Sequence, residues 1–163
     1  MKLNLGCGEF PLPGSLNVDI RDLPGVNYLA DVRHLPPFRE PITRIYAGHL
    51  VEHLPWGQSV AAIGEWWDLL GEGGDLTITS PAVDKATLLF AEGQIAEWEL
   101  VRVVGGDRST GEMYHRSAWS LPILQAVLES LPDARVDCII HDPRCPAWPA
   151  WQTTLRATRL YRD

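Results

Sequence analysis

The feature that most constrains this chain is a short apolar run, Leu3-Asn4-Leu5, that stops abruptly at Gly6-Cys7-Gly8. A run this short, ended by glycines, reads as a buried strand entering a tight loop. A glycine pair directly after a first parallel strand lets a ligand approach the backbone, because no Cβ stands in the way. The next stretch, EFPLPG at residues 9–14, carries two prolines and a glycine, so no long helix follows.

Further strands read at Leu16–Ile20, Val26–Ala30 and Ile42–Ala47. Val60, Ile63, Trp67 and Leu70 then recur at helical spacing, with Ser59 placed as N-cap and Gly71 as C-cap. Gly73-Gly74 turns the chain into the β-rich run Leu76–Thr79, stopped by Pro81. Residues 84–104 have a mixed helical pattern around Leu88, Leu89, Ile95 and Trp98, and 105–117 read as a polar loop. Ser120 is placed to cap a helix containing Leu124, Val127, Leu128 and Leu131. Arg135–His141 and Gln152–Tyr161 close the chain as strands, separated by a loop rich in proline and tryptophan. This order predicts an α/β fold, an open, mostly parallel central sheet covered by helices on both faces and closed by a last pair of strands. At 163 residues without internal repeats, residues 1–163 read as one domain.

The net charge of −7 weighs against a nucleic-acid partner, which usually requires a basic face. Arg156, Arg159 and Arg162 offer a local basic patch, but alternation along a terminal strand with a solvated face explains them as well. The three cysteines, Cys7, Cys138 and Cys145, are odd in number and lack C-x-x-C spacing. Neither a disulfide framework nor a zinc knuckle is expected, and no metal. There is no basic start followed by an apolar core, and no stretch of ~20 apolar residues. These features predict a soluble protein of a reducing compartment, the cytoplasm, with no membrane partner.

Two acids sit where nucleotide chemistry needs them. Asp19 ends the second strand, where a carboxylate can accept hydrogen bonds from both hydroxyls of a ribose. Asp31 follows the third apolar run, where it can take the exocyclic amine of an adenine, or cap the turn through Leu35-Pro36-Pro37. A dinucleotide site is disfavoured. It wants a third glycine where Phe10 and Pro11 stand, and an acid ~20 residues on.

LNLGCG, GSLNVDI, ADVRHLPPF, IYAGHLVEHLP and LLGEGGDLTITSP, in that order, resemble class I S-adenosylmethionine-dependent methyltransferases, and more narrowly a compact type 11-like subgroup. Gly105-Gly106 and His115-Arg116 resemble that subgroup's loop before its last helix. The resemblance implies a Rossmann-like fold, a mostly parallel central sheet with helices on both faces and an antiparallel last strand, and S-adenosylmethionine as cofactor. Gly6, Cys7 and Gly8 would take its methionine and ribose portions, and Asp19 with Ile20 the ribose. Asp31 and Val32 would bind the adenine, and His49 would line the pocket near the sulfonium. Gly73 and Gly74 would make a structural turn. It further implies methyl transfer to an acceptor, with His49 and His115 as candidate catalytic bases and Tyr114 as a lesser one. A small-molecule acceptor fits the charge best. Asn4 departs from the family's pattern, which often has an acid there, and the first crossover is short.

Two other readings compete. The chain can be a cofactor-binding or scaffolding module that methylates nothing. His49-Leu50-Val51-Glu52-His53 also matches H-x-x-E-H, the inverted zinc-protease pattern, in which His49 and His53 on one helix bind zinc beside Glu52 as base. Among the tryptophans, Trp67 reads as core, while Trp148 and Trp151 either cover a sheet edge or stack on an acceptor.

Overall fold

The computed structural model describes residues 1–107, 111, 113–139 and 150–161. Cys145, Trp148 and Arg162, singled out above, lie outside the described residues, as does the side chain of Cys138. The strands are β1 (Lys2–Leu5), β2 (Leu16–Asp19), β3 (Tyr28–Leu29), β4 (Ile42–Gly48), β5 (Leu70–Pro81), β6 (Ala134–Ile139) and β7 (Gln152–Arg159). The helices are α1 (Trp56–Leu69), α2 (Val83–Ala91), α3 (Glu97–Gly105) and α4 (Leu121–Glu129), with one 3-10 turn at Val51–His53. One sheet runs in the order β3-β2-β1-β4-β5-β7-β6. β1 pairs in parallel with β2 and β4, as β2 does with β3 and β4 with β5. β7 runs antiparallel to both β5 and β6. The mostly parallel sheet with an antiparallel last strand is the architecture expected from the sequence.

Register and pleat sort the strand residues into two unlike faces. Leu3, Leu5, Val18, Ile45, Ala47, Leu76, Ile78, Leu155 and Ala157 share one face and are buried in one cluster. Ile63, Trp66 and Trp67 of α1 and Leu124 and Leu128 of α4 belong to that cluster, so both helices lie on this face. The other face is polar: Asn4, Asn17, Arg44, Tyr46, Asp75, Thr77, Thr79 and Arg156. A doubly wound sheet would cover it with helices from the connections after β1 and β2. Residues 6–15, 20–27 and 30–41 contain no helix. Pro11, Pro13, Pro24, Pro36 and Pro37 and the brevity of the segments prevent one.

An amide network replaces the missing first helix. Asn4 Nδ2 donates to Asn17 Oδ1 at 2.8 Å and to Phe10 O at 3.2 Å. Asn17 Oδ1 also accepts from Leu12 N at 2.7 Å, and its Nδ2 donates to Leu12 O and Asn27 Oδ1. The loop from Gly6 to Ser15 is therefore fastened to the polar face by side chains of β1 and β2.

Several local expectations are corrected. α1 starts at Trp56, behind Pro55, and Ser59 lies inside it, donating to Val51 O at 2.6 Å. A proline at the entry sets the backbone ahead of the serine. α1 has no glycine C-cap at Gly71. It runs straight into β5, and Arg159 Nη1 reaches across to Leu70 O at 2.7 Å and Trp67 O at 3.2 Å to satisfy its end. Gly73 and Gly74 lie within β5, beside its irregular pairing with Ile42 and Arg44. β3 is only two residues of the expected five, an exposed edge. Arg156 and Arg159 fall on opposite faces of β7, so they form no common patch. Ser120 caps α4 as expected, and Trp67 is core. No described helix is long and apolar enough to cross a membrane.

Two substitutions test this account. Asn17→Ala orphans several buried partners at once and is expected to cost about 3 kcal/mol of unfolding free energy in urea melts. Gly64→Ala, in α1 where an added Cβ meets nothing within 4 Å, is expected to raise stability by about 0.5–1 kcal/mol in the same assay.

Candidate cofactor site

The strand order reverses direction between β1 and β4, the place where open α/β sheets bind ligands beyond the carboxyl ends of their strands. A cavity of about 590 Å³ opens there. That volume lies in the range of small-molecule and cofactor sites. Four strand ends supply its walls: the glycine loop after β1, Asp19 and Ile20 at β2, Asp31 and Val32 after β3, and His49 after β4.

Each wall has a local cause. Gly6 and Gly8 have φ of +60° and +52°, which only glycine adopts at little cost. A Cβ on Gly6 would stand 2.6 Å from Leu50 Cδ1, itself a wall of the cavity. Asp19 is 4 % exposed. Its Oδ2 accepts from Gly8 N at 2.8 Å, and its Oδ1 accepts from Arg21 N at 2.9 Å and Arg21 Nε at 3.2 Å. One carboxylate thus joins the end of β2 to the glycine loop. Burial pushes the Asp19 carboxyl up, but the N–H donors of Arg21 and Gly8 and the Arg21 charge outweigh it and hold it below its ordinary value.

Asp31 accepts from Arg33 Nε at 2.9 Å and Arg33 N at 3.0 Å, and the Arg33 guanidinium beside it lowers its carboxyl. Val32 is buried, and its carbonyl accepts from Trp66 Nε1 of α1 at 2.8 Å. Ile20 stays 59 % exposed on the cavity rim, and Phe10 75 %. Apolar groups left in the open at the mouth of a cleft can pack on a flat ring.

His49 has a left-handed backbone, φ +52°, unusual for a residue with a side chain. Its N–H continues the sheet by donating to Thr79 O at 2.8 Å, and its Nδ1 lies 3.1 Å from Glu52 Oε1. Glu52 is 1 % exposed. Burial pushes its carboxyl up, while His49 and His53 beside it bring it below the ordinary range. The helical register that H-x-x-E-H requires is not formed. His49 precedes a 3-10 turn of only three residues, so His49 and His53 do not stack on one helical face.

No protein-family model matches the sequence, and no curated protein matches it. Solved structures do match. The plantazolicin methyltransferase BpumL, in complex with a monoazolic desmethylPZN analog and SAH, superposes with a TM-score of 0.65 at 12 % identity, over 98 % of this chain and 76 % of that one. The small RNA methyltransferase HEN1 gives 0.64 at 12 % identity, over 99 % of this chain and 23 % of that one. An O-methyltransferase family 2 protein from Planctomyces limnophilus, in complex with apigenin, gives 0.54 at 18 % identity, over 82 % of this chain and 35 % of that one. The chain has the class I methyltransferase fold.

Within that fold, the cavity brings together Gly6, Cys7, Gly8, Asp19, Ile20, Asp31, Val32 and His49. His115 is not among its walls. The ring is half-buried behind them, with Nδ1 donating to Val103 O at 2.8 Å, and burial pushes its pKa down. Its neighbours Met113 and Arg116 do line the cavity. Sequence reasoning missed Phe10, Leu50, His53, Met113 and Arg116 as wall residues. Phe10 and Leu50 carried a signal, being apolar residues beside the glycine and histidine loops; Met113 and Arg116 arrive by tertiary folding alone.

The Asp19 site gives a pH prediction. An unfolded chain takes up a proton near 3.8 that the native carboxylate resists. The contribution of Asp19 is therefore complete above that pH and drains as pH falls through the lower native value. In urea melts, the stability gap between wild type and Asp19→Asn should be widest near neutrality and close between about pH 4 and pH 2. A gap independent of pH would contradict the assignment.

Proposed function

We propose that this chain is an S-adenosylmethionine-dependent methyltransferase, with residues 1–163 forming one cofactor-binding unit. One observation carries the reading: residues at four separate strand ends, chosen by their chemistry, line one cavity at the switch point of the sheet. The methyltransferase neighbours, one of them holding SAH, support it.

In this reading the cofactor supplies a methyl group activated on a sulfonium. Gly6, Cys7 and Gly8 admit its methionine and ribose portions to the backbone, since Gly6 and Gly8 project no side chain. Asp19 accepts from the ribose hydroxyls, with the half-exposed Arg21 guanidinium giving way while the Arg21 backbone N–H stays bound. Asp31 and Val32 take the adenine edge while Ile20 packs on its ring. Arg33 must share Asp31 with the exocyclic amine. The acceptor enters beside His49, whose ring Glu52 holds in place. His49 would be the base, its ring taking the proton of an acceptor hydroxyl as that oxygen gains the methyl group. Positioning and exclusion of water carry the rest. The net charge of −7 and the apolar rim favour a small, uncharged or cationic acceptor over a polyanion. Three cysteines without C-x-x-C spacing fit the cytoplasm.

Calorimetric titration of S-adenosylmethionine and S-adenosylhomocysteine tests the reading. Wild type is expected to bind both, and Asp19→Ala to bind about 1.5–3 kcal/mol more weakly, the worth of charged hydrogen bonds. No binding to folded wild type would sink the proposal. Binding with no turnover across a broad acceptor panel would favour the non-catalytic module.

A further inference from the structure

Glu52 and His53 of the 3-10 turn meet His115, from the loop ahead of α4, behind the wall of the cavity. One candidate ligand atom from each lies within 4.8 Å of the others. The two rings pack edge to face with centroids 5.1 Å apart. Packing alone explains two imidazoles. It does not explain a carboxylate that is 1 % exposed and, beyond its contact with His49, accepts no hydrogen bond among the described residues. Such a group is costly to bury without a compensating cation.

The histidines are set as ligands are set. His53 Nδ1 lies 3.0 Å from Tyr114 O, and His115 Nδ1 lies 2.8 Å from Val103 O. A carbonyl can only accept, so both Nδ1 atoms carry the proton and both lone pairs rest on Nε2. This outer carbonyl partner is the usual companion of a metal-binding imidazole, fixing its tautomer and angle. The backbone holds the three residues together as well. Arg116 N and Ser117 N donate to Glu52 O at 2.7 and 3.1 Å. Gly106, φ +72°, is needed where His115 passes: a Cβ there would stand 2.3 Å from Met113 O and 2.7 Å from His115 N.

We propose that Glu52, His53 and His115 bind one divalent transition-metal ion of the Zn²⁺, Co²⁺ or Mn²⁺ class. Two imidazoles and a carboxylate suit such ions, and three protein ligands leave positions open for water or substrate. His53 lines the cavity, so the open positions face the place where the acceptor enters. There the ion acidifies a coordinated acceptor hydroxyl, which narrows the acceptor to molecules presenting an oxygen donor. That role rests on the methyltransferase reading; the metal site itself does not.

The test is titration of Co²⁺ into chelator-stripped full-length protein, followed by visible absorption and by displacement with Zn²⁺. One equivalent is expected, with His53→Ala and His115→Ala each binding at least tenfold more weakly and His34→Ala, an exposed histidine elsewhere, unchanged. Binding that is absent, or indifferent to His53 and His115, overturns the site. Should either variant unfold, wild-type proton NMR decides. Co²⁺ must shift or broaden the ring signals of His53 and His115 and spare His34; uniform or absent effects overturn the proposal. S-adenosylhomocysteine titrated into the same samples separates the two readings. Metal binding without the nucleoside keeps the site and removes its role in methylation, whereas nucleoside binding without metal overturns the site alone.

Discussion

The amide pair Asn4–Asn17 fastens the glycine loop to a sheet whose second face has no helix at β1 and β2. Everything on the cofactor side depends on that tether. The Asn17 amide binds Leu12 through both its oxygen and its nitrogen, and Asn4 holds Phe10 O. With the loop pinned, Gly8 N sits under the Asp19 carboxylate and the cavity has a floor. A few buried hydrogen bonds between adjacent parallel strands thus do what the packing of a crossover helix would otherwise do. They cover little apolar area, so the stability of the chain rests on the other face, where Trp66, Trp67 and Trp119 are fully buried with the strand residues.

The division of labour between the two faces also locates the chemistry. Apolar side chains on the α1 and α4 side make a close-packed, rigid base. Polar side chains on the other side, and charged groups at the strand ends, stay available to a ligand. Three carboxylates illustrate the gradient. Asp31 is partly open and paired with Arg33; Asp19 is buried but supplied with backbone donors; Glu52 is buried with only imidazoles beside it, His49 in contact and His53 near by. The deeper the acid, the less the described residues do to satisfy it, and the stronger the case that something else does.

Much of this was legible in the residues. Leu3-Asn4-Leu5 before Gly6-Cys7-Gly8, the two apolar runs ending near Asp19 and Asp31, and the helical spacing through Trp67 follow from local steric and hydrophobic rules, and the structure places them so. The antiparallel closing strand was implied by the family resemblance rather than by the strand pattern, and β7 bears it out. What was not legible depends on partners distant in sequence. Val26–Ala30 has strand composition, yet only Tyr28 and Leu29 pair, because an exposed edge offers one neighbour. Ser59 is a good cap by composition, but Pro55 fixes the helix entry first. Arg21 and Arg33, each two residues beyond its acid, gave no sign of occupying those carboxylates. His115 reaches Glu52 only because the loop at Gly106 folds back, a contact that no local pattern contains.

The central claim is that one ligand is gripped at the ends of β1, β2, β3 and β4 together. Amide NMR of the labelled protein with S-adenosylhomocysteine added tests it most directly. The account predicts shifts concentrated at Gly6, Gly8, Ile20, Val32 and His49, with the amides of α4 and β6 unmoved. Shifts confined elsewhere, or a spectrum indifferent to the ligand, would contradict it.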